Sequence, residues 1–163
     1  MAPLRLFLAD DHEIVRYGLR TLLEREKDWV IVGEAADGAK AVEGILSTEP
    51  DIALLDIGMP VVNGLDATRQ IVKSQSRTQI LVLSAFDSKE VIRQVIDSGA
   101  RGFVLKSDAV RDLIVAVEEI RAGGTFFTPK TAEVILDRQL ERIYGVKQKA
   151  SSSKKSQARP HKN

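Results

Sequence analysis

Between residues 4 and 122, short apolar runs alternate five times with amphipathic segments, and four of the five runs close on a polar or charged residue. The runs at 4–9, 30–35, 52–55, 80–83 and 102–105 are too short for helices and too continuously apolar for strands with one wet face. The segments that follow, at 13–25, 39–46, 65–74, 89–98 and 110–122, carry apolar residues at helical spacing, as Ile14, Leu19, Leu22 and Leu23 do in the first. Strands joined by helices must run parallel, because a helical crossover returns the chain to the same end of the sheet. The expected class is α/β, a (βα)5 doubly wound parallel sheet; if its strand order is the flavodoxin-like 2-1-3-4-5, the first and third strands lie side by side.

The punctuation agrees. Asp87-Ser88 and Ser107-Asp108 stand where helix caps are needed, and Gly99 and Gly123-Gly124 stand where helices should stop. Residues 1–124 are read as the folded domain. In 125–145, Thr128-Pro129 resembles an N-cap and first helical position, and Val134, Ile135, Leu140 and Ile143 give a further C-terminal helix a loose stripe. Residues 146–163 have six Lys/Arg and no acid, and are expected to be a basic disordered tail or linker. The preceding 145 residues then hold 18 basic and 23 acidic side chains, so the fold itself is mildly acidic.

Composition narrows the chemistry. With 44% hydrophobic residues a packed core is feasible, and with no cysteine, disulfides, thiolate zinc sites and cysteine nucleophiles are excluded. No apolar run reaches the roughly 18 residues of a membrane span, and Met1-Ala2-Pro3 leads straight into the first run without a signal-peptide pattern. A cytoplasmic protein that does not enter the membrane is the expectation.

In open parallel sheets, ligands bind beyond the carboxyl ends of the strands. The residues there are Asp10 and Asp11, Asp56, Ser84 and Lys106. If the first and third strands are neighbours, three carboxylates meet and repel one another unless a cation joins them. Oxygen ligands favour a hard dication, Mg2+ foremost. With +2 from the metal and +1 from Lys106, the three negative charges are balanced. A carboxylate so placed can attack a phosphoryl group, and Asp56, the terminal acid of the central strand, is the candidate nucleophile. The product gains charge and acceptor oxygens, which Ser84 and Lys106 can contact. Drawing Ser84 inward would move its loop.

These residues resemble the receiver domain of two-component response regulators, in Ala9-Asp10-Asp11, Leu55-Asp56 with Met59-Pro60 and Gly64, Leu83-Ser84-Ala85, and Gly102-Phe103-Val104-Leu105-Lys106. Asp11-His12-Glu13-Ile14-Val15-Arg16 and the run from Gly123 to Pro129 are most similar to the NarL/FixJ-like subfamily. The resemblance implies a histidine kinase as donor and Asp56 as phosphoacceptor. It implies Mg2+ on Asp11, Asp56 and the backbone carbonyl of Gly58, with Asp10 acting largely through water. It also implies a switch in which Phe103 rotates inward as Ser84 engages the phosphoryl group. Ser107 departs from the proline frequent after the lysine. Such receivers usually drive a helix-turn-helix output domain; none is expected to fit in this sequence, so DNA would be reached only through a domain absent from it. Subfamily receivers can pair through their first and fifth helices, so a homodimer is a candidate assembly.

A signalling phosphoacceptor rather than an enzyme is the leading reading, with at most self-phosphorylation and self-dephosphorylation. A truncated DNA-binding transcriptional regulator is the alternative. A haloacid-dehalogenase-type phosphatase is the enzyme rival, but such enzymes usually need a second acid two residues after the nucleophile, where this chain has Gly58. His12 and His161 are read as solvent-facing and too poor in companions for a metal site. Phe86 is expected to shield the acyl phosphate from water, since Gly58 cannot position one.

Overall fold

The computed structural model describes residues 2–145; the expected basic tail at 146–163 lies outside them. The chain divides into two compact units, Met1–Thr128 and a second beginning at Pro129. The second is a single helix among the described residues, α6 (Pro129–Tyr144), whose first residue is a proline with its ring already at a helical φ.

In the first unit the strands are β1 (Leu4–Ala9), β2 (Trp29–Ala35), β3 (Ile52–Asp56), β4 (Gln79–Ser84) and β5 (Gly102–Leu105). The helices are α1 (Glu13–Leu23), α2 (Gly38–Thr48), α3 (Gly64–Lys73), α4 (Lys89–Asp97) and α5 (Ala109–Arg121). The sheet is parallel in the order β2-β1-β3-β4-β5. This is the expected flavodoxin-like order, and β1 and β3 are neighbours.

Strand alternation divides the core. Leu4, Leu6, Leu8, Ile52, Leu54, Leu81, Leu83 and Val104 form one buried cluster with Leu19 and Leu23 of α1 and Leu113, Ala116, Val117 and Ile120 of α5. The opposite parity, including Phe7, Leu55, Val82 and Phe103, is also buried, and the Phe7 ring lies so close to Gly44 of α2 that a Cβ there would meet it at 2.7 Å. Each such large apolar side chain contributes about 1.5–3 kcal/mol relative to exposure. Burial on both faces explains why these strands read as continuous apolar runs. Among the described residues no helix is long and apolar enough to cross a membrane.

Two local expectations are corrected. Ile14 was expected on the apolar face of α1 but is 86% exposed; helical rotation of about 100° per residue carries it off the stripe that Val15, Leu19, Leu22 and Leu23 share. Asp108 was expected to cap α5 and makes no side-chain cap bond. Lys106–Asp108 instead forms a 3-10 turn, and the Asp108 carboxylate pairs with Arg111 at 3.4 Å. Ser88 does cap α4, its Oγ accepting from the Val91 N–H at 3.2 Å. Gly99 and Gly123, both at φ 93°, end α4 and α5 in the left-handed conformation that favours glycine. Beyond α5, Phe126 makes a parallel bridge with Gly102, covering the open edge of β5.

Candidate functional site

Register brings the strand ends together. Ala9 pairs with Leu55, Asp56 with Leu83, and Ser84 with Leu105, so Asp10, Asp56, Ser84 and Lys106 emerge along one edge of the sheet. Asp10 is completely buried, and Asp56 is 3% exposed. The Asp10 amide donates to Ala35 O at 3.1 Å, and Arg16 Nη1 donates to Asp10 O at 2.6 Å, which fixes the turn from β1 into α1.

Lys106 bridges the two buried acids. Its Nζ lies 3.1 Å from Asp56 Oδ1 and 2.8 Å from Asp10 Oδ2, both ion-pair distances. The Gly58 amide adds a weak bond to Asp56 Oδ1 at 3.3 Å. These contacts leave Asp56 Oδ2 and Asp11 Oδ1 buried with no hydrogen-bond partner. Buried carboxylate oxygens seldom go unpaired, and oxygens from three acids facing one pocket are the donor set that a hard dication takes. Carboxylate oxygens from Asp10, Asp11 and Asp56 lie within 4.8 Å of one another. The residues present therefore fit Mg2+.

Electrostatics shows the same deficit of positive charge. Burial pushes the Asp56 carboxyl above its ordinary value, and the Asp10 charge pushes the same way, against Lys106 and the Gly58 amide. For Lys106, burial works to lower the pKa, but hydrogen bonding and charge from Asp10 and Asp56 outweigh it and the ammonium is held above its ordinary range. A raised acid pKa in the folded state means that the fold binds this proton more tightly than the unfolded chain does. Metal-free stability should therefore fall as pH rises from the ordinary carboxylate range through the raised Asp56 value. Asp56→Asn should remove that decline and unfold at higher urea than wild type at neutral pH in EDTA. Added Mg2+ should stabilise wild type and have less effect on the variant. Urea titrations across pH, with and without Mg2+, check both signs.

The other expected residues are placed differently from one another. Ser84 stands at the correct edge, but its Oγ is engaged within its own loop, donating to Phe86 O at 2.7 Å and accepting from Phe86 N–H at 3.0 Å. Phe103 is 1% exposed. The ring is already inside, so the expected inward rotation has no outward starting point here. Phe86, expected to shield the site, has 73% of its surface in solvent and offers no cover in this conformation; it contributes its backbone to Ser84 instead.

His12 was missed. It faces solvent as expected, yet it is not without companions: its Nδ1 is 3.2 Å from Asp11 Oδ1 and 3.4 Å from Asp10 Oδ1. Its place immediately after Asp10-Asp11 was the available signal. Arg16 was missed as well, because its role is to a backbone carbonyl.

Comparison with known proteins agrees with this arrangement. The family model described as the response regulator receiver domain matches residues 6–118. Transcriptional regulatory protein DegU of Brevibacillus brevis is 32% identical over 149 residues, covering 91% of this chain and 63% of its own. Oxygen regulatory protein NreC of Staphylococcus epidermidis is 38% identical over 128 residues, covering 78% of this chain and 59% of its own. The chain thus spans about three fifths of the length of these curated relatives. Among solved structures, the signal receiver domain of the response regulator NarL from Mycobacterium tuberculosis superposes with a TM-score of 0.73 at 33% identity, covering 76% of this chain and 99% of that one. A LuxR-family two-component response regulator from Aurantimonas gives a TM-score of 0.77 at 34% identity, covering 86% and 100%.

Proposed function

The chain belongs to the response regulator receiver domain family, with relatives of the NarL/LuxR type, and from that premise we propose that Asp56 accepts a phosphoryl group from a histidine kinase in a Mg2+-dependent reaction. The observation that carries this reading is the buried, partnerless Asp56 Oδ2 among the Asp10 and Asp11 carboxylates, with Lys106 on the companion oxygen.

Asp11, Asp56 and the Gly58 carbonyl would hold Mg2+ directly, with Asp10 acting largely through water. The ion supplies charge neutralisation for the phosphoryl oxygens. The protein's own residues do the rest. An Asp56 oxygen attacks phosphorus as the donor's N–P bond breaks, and the electron pair leaves on the donor imidazole nitrogen. Lys106 already lies against Asp56 and can pair with an equatorial oxygen that gains charge. Gly58 places no side chain beside the Asp56 carboxylate, where a Cβ would make an ordinary contact with Oδ2 at 3.8 Å.

Ser84 is the moving part of the switch. To donate to the new phosphoryl oxygens its hydroxyl must leave Phe86 O, which frees the loop after β4. Phe103 enters the switch from its buried position. The module therefore signals rather than turning over a substrate, and Gly58 lacks the carboxylate that a phosphatase of the haloacid dehalogenase type would need. The length of the relatives favours a longer regulator, in which this domain controls an output domain that contacts DNA. A cytoplasmic location and pairing as a homodimer complete the proposal.

Incubation with a small-molecule phosphodonor and Mg2+, followed by intact mass, tests the assignment. Wild type should gain one phosphoryl mass; Asp56→Asn and the EDTA control should gain none. Equal labelling of the variant would overturn it.

A further inference from the structure

The acidic pocket contains one donor that phosphoryl transfer does not use. The His12 side chain is 66% exposed, and its Nδ1 sits within 3.4 Å of two carboxylate oxygens. One donor atom from each of Asp10, Asp11, His12 and Asp56 falls within 4.8 Å of all the others. We infer that this pocket also binds a borderline transition-metal dication, with Zn2+ the representative, through His12 Nδ1 and the three carboxylates, and that such an ion excludes Mg2+. This rests on reading the same carboxylates as the Mg2+ site.

Geometry favours it. Four ligands at bond lengths of about 2.0–2.1 Å stand about 3.3 Å apart at the edges of a tetrahedron, whereas six at similar lengths stand about 2.9 Å apart. The His12 spacings, 3.2 and 3.4 Å, match the tetrahedral edge. Closing the remaining ligands requires small side-chain shifts, which exposed His12 and part-exposed Asp11 can make.

Chemistry favours it too. An imidazole nitrogen adds much to the affinity of a site for Zn2+, Ni2+ or Cu2+ and little for Mg2+, which keeps oxygen ligands and water. The buried Asp56 Oδ2 provides an acceptor with no hydrogen-bond partner, independent of the histidine. Lys106 stays beside Asp10 and Asp56 and leaves the total charge balanced by a dication of either kind. His12 therefore sets which metal the pocket prefers. Bound Zn2+ would displace the Mg2+ that phosphoryl transfer requires.

Calorimetric titration of the full chain tests this, using a His161→Ala background to remove the other histidine. Zn2+ should bind one per chain, His12→Ala should weaken it by about tenfold or more, and Mg2+ affinity should be unchanged. Co2+ should give the strong visible bands of tetrahedral coordination in the parent and weak octahedral bands in His12→Ala. Zn2+ should suppress labelling in Mg2+, and do so less in that variant. Asp56→Asn should weaken both metals. Equal Zn2+ affinity in His12→Ala with intact Mg2+-dependent labelling overturns this inference alone. Failure of labelling in the parent chain overturns the phosphoacceptor reading of Asp56, and the Zn2+ titration then decides the present inference by itself.

Discussion

Lys106→Met should slow phosphoryl transfer to Asp56 by at least about a hundredfold and lower the stability of the metal-free protein by about 3 kcal/mol. Both effects come from one position. The ammonium is the cation between two buried carboxylates, 2.8 Å from Asp10 and 3.1 Å from Asp56, with a side chain only 18% exposed. Its removal leaves two like charges facing each other in a site with little water, and the penalty is mainly that of the unpaired charges. Adding Asp10→Asn should restore part of the stability, because one of those charges is gone, but not the rate, because the pairing partner for the phosphoryl oxygens is still missing. Urea denaturation in EDTA and timed intact-mass labelling separate the two quantities. A Lys106→Met protein of wild-type stability that labels at the wild-type rate would contradict this account of the pocket.

Gly64→Ala should cost more than about 3 kcal/mol and abolish labelling with it. A Cβ at Gly64 would overlap the Asp56 carbonyl oxygen and stand 2.7 Å from the Asp56 carbonyl carbon and 2.9 Å from Ile57 Cα. All three are backbone atoms, so no rotamer change relieves the clash. The loop between β3 and α3 cannot simply retreat, because its other side rests on the start of α2: a Cβ at Gly38 would overlap Val62 O, and the Gly38 amide donates to Pro60 O at 3.2 Å. The same loop holds Val61, a β-branched residue, at φ 70°, which is already strained. The end of β3 is what must give, and Asp56 moves with it. Chemical denaturation and labelling of the purified variant check both parts; a stable variant labelled normally would show that the loop has slack.

Strand-end chemistry was legible in the sequence because a parallel sheet imposes it. Apolar runs that close on Asp10, Asp56, Ser84 and Lys106 can be buried on both faces only if those residues come out at one edge, and the order 2-1-3-4-5 does the rest. Side-chain direction was not legible. Ile14 and Asp108 depend on one residue of helical phase or one turn of 3-10 geometry, and the sequence does not carry that resolution. Whether Ser84 points to the pocket or to its own loop depends on the competition between Phe86 backbone groups and a phosphoryl group, a matter of state rather than sequence. His12 reads as isolated in the sequence because no other histidine stands near it, although its partners are the two acids immediately before it.

The central claim is that acids from β1 and β3 and the lysine after β5 jointly make Asp56 the phosphoacceptor. A crystal structure with Mg2+ and beryllofluoride, a phosphoryl mimic, measures this directly. The account predicts the mimic on an Asp56 oxygen, Mg2+ against Asp11, Asp56 and the Gly58 carbonyl, Lys106 Nζ on one fluorine, and Ser84 Oγ turned from Phe86 to another. Beryllofluoride bound elsewhere, or on Asp56 with Mg2+ away from Asp11 and with Lys106 turned out, would contradict it.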